Sequence, residues 1–176
     1  MGFDGSYSRD STALVGCTLE GHLFVIGAWE RDLSDDSWTV PRSEVDAAVA
    51  KAFARWKVRE FTADPPGWNA ELEAWEHEFG KVVIRQETAN SDFMAPACDL
   101  FFTAVADGSL SHDGDPRLAR HVANAHIRAT RHGNVIQKRT KDSPHKVDLA
   151  VAAVLAFDSA AYVPEPKKLA PVAFLA

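Results

Sequence analysis

Asp4, Asp64 and Asp148 are the side chains whose types and settings point most directly to chemistry. Asp4 lies in Gly2-Phe3-Asp4-Gly5-Ser6, Asp64 ends the run from Val58 just before Pro65-Pro66-Gly67, and Asp148 opens the apolar stretch from Val147 to Ala156. A carboxylate at the tip of a strand or the mouth of a buried helix is costly unless something cationic offsets it. Three such carboxylates, if they converge, describe a divalent-metal site. Hard cations of the Mg²⁺ or Mn²⁺ type take oxygen ligands and leave positions for water and phosphate oxygens, so few protein carboxylates suffice.

The reaction such a site suits is phosphodiester cleavage. Two ions about 3.5–4 Å apart stabilise charge on both the attacking and the leaving oxygen. The minimum set is one shared carboxylate with one more for each ion. The assignment is Asp4 bridging both, with Asp64 and Asp148 each holding one. Asp10, between Ser8-Arg9 and Ser11-Thr12, is a further candidate, as an outer ligand or as a cap of its own loop. Each has a plainer alternative. Asp4 before Gly5-Ser6 suits an Asx-turn, Asp64 before Pro-Pro-Gly suits a turn start, and Asp148 in a first helical turn is favoured by the helix dipole. Those roles, however, give no reason for all three to meet at one sheet edge.

The elements that must position them can be read from periodicity. Thr12 to Thr18 and Leu23 to Trp29 are strand-like runs joined by Leu19-Glu20-Gly21-His22, a hairpin connection, and Phe3 to Ser6 reads as a short strand ahead of them. Pro41 stands near the start of a helix whose stripe is Val45, Ala48, Val49, Ala52, Phe53 and Trp56. Val58 to Ala63 is a strand, Trp68, Leu72, Trp75 and Phe79 recur at helical spacing, Gly80 suits a C-cap, and Lys81 to Arg85 is a second strand. A strand, helix and strand this close make a right-handed crossover with parallel strands. Asp64 then falls at the carboxyl end of its strand, where open α/β sheets place their ligands.

Further helices are predicted over Met94 to Ala106, Pro116 to Ala125 and about Lys146 to Ala161. A hairpin pairs Ile127–Thr130 with Asn134–Gln137, and Pro164, Pro166 and Pro171 mark an extended tail. The expected division is residues 1–163 as one domain and 164–176 as a Pro-rich tail. The layout is an α/β, ribonuclease H-like mixed five-stranded sheet. Three antiparallel strands are followed by two parallel ones, helices flank the sheet, and a helix and hairpin are inserted before the last helix.

At 176 residues, 46% hydrophobic and 25% charged, the composition is that of one ordinary globular domain. The longest apolar stretch, Leu149 to Phe157, is too short to span a bilayer. The chain reaches its first motif at once, with no signal peptide ahead of Asp4, and reads as a domain cut from a longer protein. Cys17 and Cys98 form no ligand pattern and read as reduced core thiols.

The net charge of −6 argues against a nonspecific nucleic-acid binder, but its distribution argues back. Between His112 and Lys146 lie Arg117, Arg120, Arg128, Arg131, Lys138, Arg139, Lys141 and Lys146 against only Asp113, Asp115 and Asp142. That segment suits either a phosphate-facing surface or a solvated helix and hairpin. His112 and His121 read as phosphate-facing or helix-surface residues rather than metal ligands. There is no Walker-type phosphate loop and no G-x-S-x-G elbow, and Ser111 to Pro116 resembles only part of a calcium loop.

Taken together, these pieces resemble the C-terminal nuclease domain of the large terminase subunit of tailed bacteriophages. The resemblance rests on Gly2 to Ser6 followed by Arg9 to Val15, on Ala63-Asp64-Pro65, on His112 to Pro116 leading to His121-Val122-Ala123-Asn124-Ala125, and on Lys146 to Ala152. It implies a metal-dependent endonuclease cutting concatemeric viral duplex DNA around genome packaging, with Asp4, Asp64 and Asp148 at the metal positions. It also implies an N-terminal ATPase domain outside this chain, a portal protein as docking partner, the small terminase subunit as a further candidate partner, and action in the host bacterial cytoplasm. Many enzymes of this fold add a Glu on the first long helix; Glu44 and Asp46 are the nearest acids and neither clearly fills that place. Two other readings stay open: a non-catalytic DNA-clamping or docking module, and a junction-resolving nuclease of the same fold.

Overall fold

The computed structural model describes residues 1–6, 11–31, 35, 37–140 and 143–162. Asp10, Lys141 and the predicted tail lie outside them. Strands β1 (Gly2–Asp4), β2 (Thr12–Cys17) and β3 (His22–Trp29) form the predicted antiparallel meander, with Asp4 opposite Ala13 and Ala13 opposite Ala28. Helix α1 (Arg42–Arg55) then leads to β4 (Phe61–Ala63), α2 (Asn69–Phe79) and β5 (Val83–Arg85). β4 runs parallel to β1 and to β5, as a right-handed crossover requires.

The sheet has six strands in the order β5-β4-β1-β2-β3-β6, rather than five. The sixth, β6 (Ser111–His112), runs parallel to β3. Two exposed polar residues carry no strand periodicity. Their pairing comes from the chain's return after α3 (Ser91–Asp107) and from Asp113, whose Oδ2 accepts the Val25 amide at 2.8 Å. Two strands are also shorter than expected: the pairing begins at Phe61 rather than Val58, and a single 3-10 turn occupies Gly80–Val82 ahead of β5.

The insertion is helix α4 (Pro116–Asn124) and the hairpin of β7 (His126–Thr130) with β8 (Gly133–Gln137), which forms its own small sheet. Val135 of β8 joins Met94, Ala95 and Cys98 of α3 in the core, and the His132 ring lies 2.5 Å from Asp92 at the start of α3. The last helix is α5 (Asp148–Tyr162). No described helix is long and apolar enough to cross a membrane.

The strand period of two sorts residues between the sheet's faces. Phe3, Leu14, Phe61 and Ala63 face α1 and α2, in a core with Val45, Val49, Trp68, Leu72 and Trp75. Gly2, Ala13, Val15 and Thr62 face α5. A Cβ at Gly2 would collide with the carbonyl oxygen of Ala152 and stand 2.6 Å from the amide nitrogen of Ala156. Only glycine lets this helix lie so close to a strand. Further down, Ser159 and Thr62 share a hydroxyl hydrogen bond of 2.7 Å.

Candidate functional site

The alternation that turns Gly2 and Thr62 toward α5 places Asp4 and Asp64, two residues further along, on that same face. β1 and β4 are parallel with Phe3 opposite Ala63, and the Asp64 amide donates to the Phe3 carbonyl at 3.0 Å. The two aspartates are thus next in register on adjacent strands, about 4.8 Å apart along the hydrogen-bonding direction. α5 crosses β1 and β4, with Ala152 and Ala156 over Gly2 and Ser159 over Thr62. It runs antiparallel to β1: Phe157 lies beside Gly21 ahead of β3, while Leu149 reaches, through the His121 ring, Glu30 just past the end of β3. Asp148 lies one turn before Ala152 on the same helical stripe, an advance of about 6 Å. Asp4 lies two strand residues beyond Gly2, an advance of about 6.6 Å. All three aspartates therefore share one face at one edge of the sheet.

Asp64 is 8% exposed and Asp148 6%, while Asp4 is half-buried. Both oxygens of Asp64 are engaged: the Thr88 amide donates to Oδ1 at 3.0 Å and the Thr88 hydroxyl to Oδ2 at 2.9 Å. Burial raises the Asp64 pKa above the ordinary carboxylate range. The Thr88 bonds pull it back and the nearby Glu87 carboxylate pushes it up again. Among the described residues, no group of three or more His, Cys, Asp or Glu side chains is gathered tightly enough to hold an ion. Register and helix direction bring the three toward one edge of the sheet, and no closed ligand cage is formed among the described residues. Each carboxylate oxygen has two lone pairs, so the Thr88 bonds still leave Asp64 able to ligate.

The turn after Asp4 is packed from below. A side chain at Gly5 would strike the indole nitrogen of Trp68 and come within 2.8 Å of the Phe3 ring. Ser6 is tied to β2: the Thr12 hydroxyl donates to the Ser6 carbonyl at 3.0 Å and accepts from the Ser6 amide at 3.2 Å. The run Gly2-Phe3-Asp4-Gly5 thus has a structural meaning: helix contact, core, site, core.

His121 departs from the sequence reading. It is fully buried rather than on the surface of α4. Its Nδ1 lies 3.0 Å from the Leu149 amide and its Nε2 lies 2.8 Å from Oε1 of Glu30. An amide can only donate, so Nδ1 presents its lone pair and Nε2 carries the proton toward Glu30. Burial holds His121 below the ordinary imidazole pKa, against the opposing pull of Glu30. For Glu30 burial is also the largest influence and pushes upward. The hydrogen bonds from Arg120 and His121 outweigh it and hold Glu30 below its ordinary value. The available signal was the spacing of Leu118 and His121, three apart on the buried stripe of α4.

The basic segment divides. Arg117 pairs with Asp115 at 2.6 Å, and Arg120 with Glu30 at 2.6 Å, so these two serve the α4 fold as well as its charge. Asp115 also caps α4 by accepting the Arg117 amide at 2.8 Å, and Arg117 holds its carboxyl down at about 2. Arg128 and Arg131 on the hairpin and Arg139 beyond it are exposed, while Lys138 and Lys146 are half-buried. The hairpin reaches the start of α3, which begins three residues after Thr88, and so lies toward the carboxylate edge.

Comparison with known proteins agrees with this architecture. The chain is similar in fold to the large terminase nuclease of thermophilic phage G20c, with TM-score 0.63 at 15% identity over 89% of this chain and 79% of that one. It is likewise similar to the large terminase nuclease domain of Thermus phage P74-26, with TM-score 0.61 at 16% identity over 89% and 76%. The G20c nuclease has also been crystallised with bound magnesium and with bound cobalt. In sequence, the chain is 41% identical over 169 residues to the Gene 13 protein of Mycobacterium phage D29 and 40% identical to that of Mycobacterium phage L5, spanning 28% of the length of each. The family described as terminase large subunit, endonuclease domain, matches residues 27–163, and the chain belongs to that family.

Proposed function

We propose that this chain is a divalent-metal-dependent endonuclease domain that cuts concatemeric viral duplex DNA during genome packaging, with Asp4, Asp64 and Asp148 as its metal-binding carboxylates. The observation that carries this reading is the register of Asp4 and Asp64 side by side on the face that α5 packs against, with Asp148 at the start of that helix. All-oxygen donors suit Mg²⁺ or Mn²⁺, and the burial that raises the Asp64 pKa is a cost that a nearby dication offsets. The magnesium and cobalt bound by the G20c nuclease support the same chemistry. Two ions bound there supply positive charge for the attacking and leaving oxygens of the phosphodiester and make water a better nucleophile.

The chain's own residues do the rest. Thr88 orients Asp64, and Asp10 is an outer ligand in this reading. Arg128, Arg131, Lys138, Arg139, Lys141 and Lys146 grip backbone phosphates, with Arg117 and Arg120 contributing from their ion-paired positions. Such contacts carry affinity without sequence preference. The N-terminal ATPase domain, the portal protein and the small terminase subunit are partners in the packaging motor, acting in the host bacterial cytoplasm.

The test is plasmid nicking in Mg²⁺ or Mn²⁺ by the parent and by Asp4→Asn. Parental activity with loss in the variant is the expected result, and equal cleavage by both would refute the assignment. One observation favours a second reading, a non-catalytic DNA-clamping module: both Asp64 oxygens already bond Thr88. That reading predicts no rise in melting temperature on adding Mn²⁺, whereas a metal site predicts a rise that grows with Mn²⁺ concentration.

A further inference from the structure

Helix α5 starts at Asp148 behind Val147, whose side chain offers no acceptor, and the first amides of a helix have no partner within it. The Leu149 amide finds one in Nδ1 of His121, 28 residues earlier on α4. Three residues on from His121, the Asn124 side-chain amide donates to the Lys146 carbonyl at 3.0 Å. α4 therefore holds the chain on both sides of Asp148, one contact two residues before it and one just after. His121 is itself fixed by Glu30, which follows the end of β3 directly. β3 is parallel to β1, and Ala28 is level with Asp4 through Ala13, so Glu30 stands at the same edge of the sheet as the carboxylates.

Resting on the metal-site reading above, we infer that His121, held in its Nε2–H tautomer by Glu30, is a positioning residue that sets where Asp148 stands over Asp4 and Asp64. The chemistry allows only one arrangement. Nδ1 must accept from Leu149, and a proton there would face the amide hydrogen and force the helix start away. Glu30 accepts the other ring proton and so secures that tautomer, much as the outer partners of metal-binding groups orient the ligands they do not themselves replace. Arg120 in turn fixes Glu30 through two contacts, at 2.6 and 2.7 Å. A neutral acceptor at this point satisfies the amide without adding a carboxylate that would compete with Asp148 for the helix N-terminus.

The measurement is Mn²⁺ affinity of the 176-residue chain, read from the electron paramagnetic resonance signal of free Mn²⁺, beside a melting temperature for each variant. His121→Leu removes the acceptor and is expected to weaken Mn²⁺ binding about 10-fold or more. His121→Asn places Oδ1 where Nδ1 stood and is expected to recover most of that affinity even where it melts earlier than the parent. A merely structural His121 would lower the melting temperature of both variants and leave affinity in the folded protein unchanged. Parental Mn²⁺ affinity in folded His121→Leu therefore overturns the proposal. Should His121→Leu fail to fold, Glu30→Leu carries the same test: weaker Mn²⁺ binding supports the relay and parental binding overturns it. Asp148→Asn separates the two levels. Binding that survives this change overturns the metal reading and the proposal with it, whereas binding lost here but intact in His121→Leu overturns the proposal alone.

Discussion

On one face of the central sheet Phe3, Phe61, Trp68 and Trp75 fill the space with interlocking rings; on the other, Gly2, Ala152 and Ala156 bring a helix backbone almost onto a strand. Phe3 meets Trp68 edge-on at 5.0 Å and Trp75 at 5.5 Å, and Phe53 stacks on Phe79 at 3.8 Å. Such rings bury large apolar areas, each contributing on the order of 2–3 kcal/mol. The α5 face buries smaller side chains and gains close approach. That closeness lets an aspartate on the first turn of α5 share an edge with aspartates on two strands. The aromatic face supplies stability, and the small-residue face supplies geometry.

The largest effect is expected from the aromatic side. Trp75 is 1% exposed and donates its indole N–H to Asp46 at 2.8 Å. Trp75→Ala should lower unfolding free energy by about 4 kcal/mol, read by urea denaturation, while Mn²⁺ affinity of the folded fraction stays near the parent's. A loss of affinity beyond the folded fraction would break the division between the faces. Next comes Gly2→Ala, which forces α5 outward. Overpacking of this kind costs about 2–3 kcal/mol, but here Mn²⁺ affinity should fall as well, since Asp148 moves with its helix. Stability lost without affinity would show that α5 need not sit so close.

Two smaller predictions test α4, which holds the start of α5, and the far end of α5 itself. Asp115 caps α4 and is held at about 2 by Arg117, so Asp115→Ala should cost about 1 kcal/mol at neutral pH. A depressed carboxylate adds stability above its unfolded value of 3.8 and loses it as pH falls toward 2, so the deficit of the variant should shrink across that window. Asp158, near the far end of α5, is pushed up to about 6 by burial and by Glu60. A raised carboxyl favours the folded state while protonated, and that advantage is lost as pH climbs from 3.8 through 6. Asp158→Asn should therefore stabilise the protein above pH 6, by no more than about 1 kcal/mol after solvent screening, with the gain fading in acid. Thermal melts of parent and variant across pH check both.

Much of the fold was legible because local physics agreed with the tertiary outcome. The apolar runs of β2 and β3, the Trp68-Leu72-Trp75-Phe79 stripe and the Gly80 cap each mark an element without outside help. The Gly-Phe-Asp-Gly run and the end of β4 placed two aspartates at strand tips, and the apolar α5 placed the third at a helix mouth. Less was legible where a residue's role depends on a distant partner. β6 has two polar residues and exists through β3 and Asp113. Thr88 lies in a loop and matters because Asp64 lies beside it. Arg117 and Arg120 read as open cations until Asp115 and Glu30 face them.

By itself the amino-acid order determined where carboxylates could end strands and begin a helix, because period and turn chemistry act over a few residues. It determined too that Gly2 would permit a close neighbour. Only the tertiary structure decided which neighbour that was, which face Asp4 and Asp64 share, and that a histidine 28 residues upstream caps the helix bearing Asp148. The reason is that a buried hydrogen bond depends on distance in space, and chain separation sets no limit on which groups the packed helices bring together.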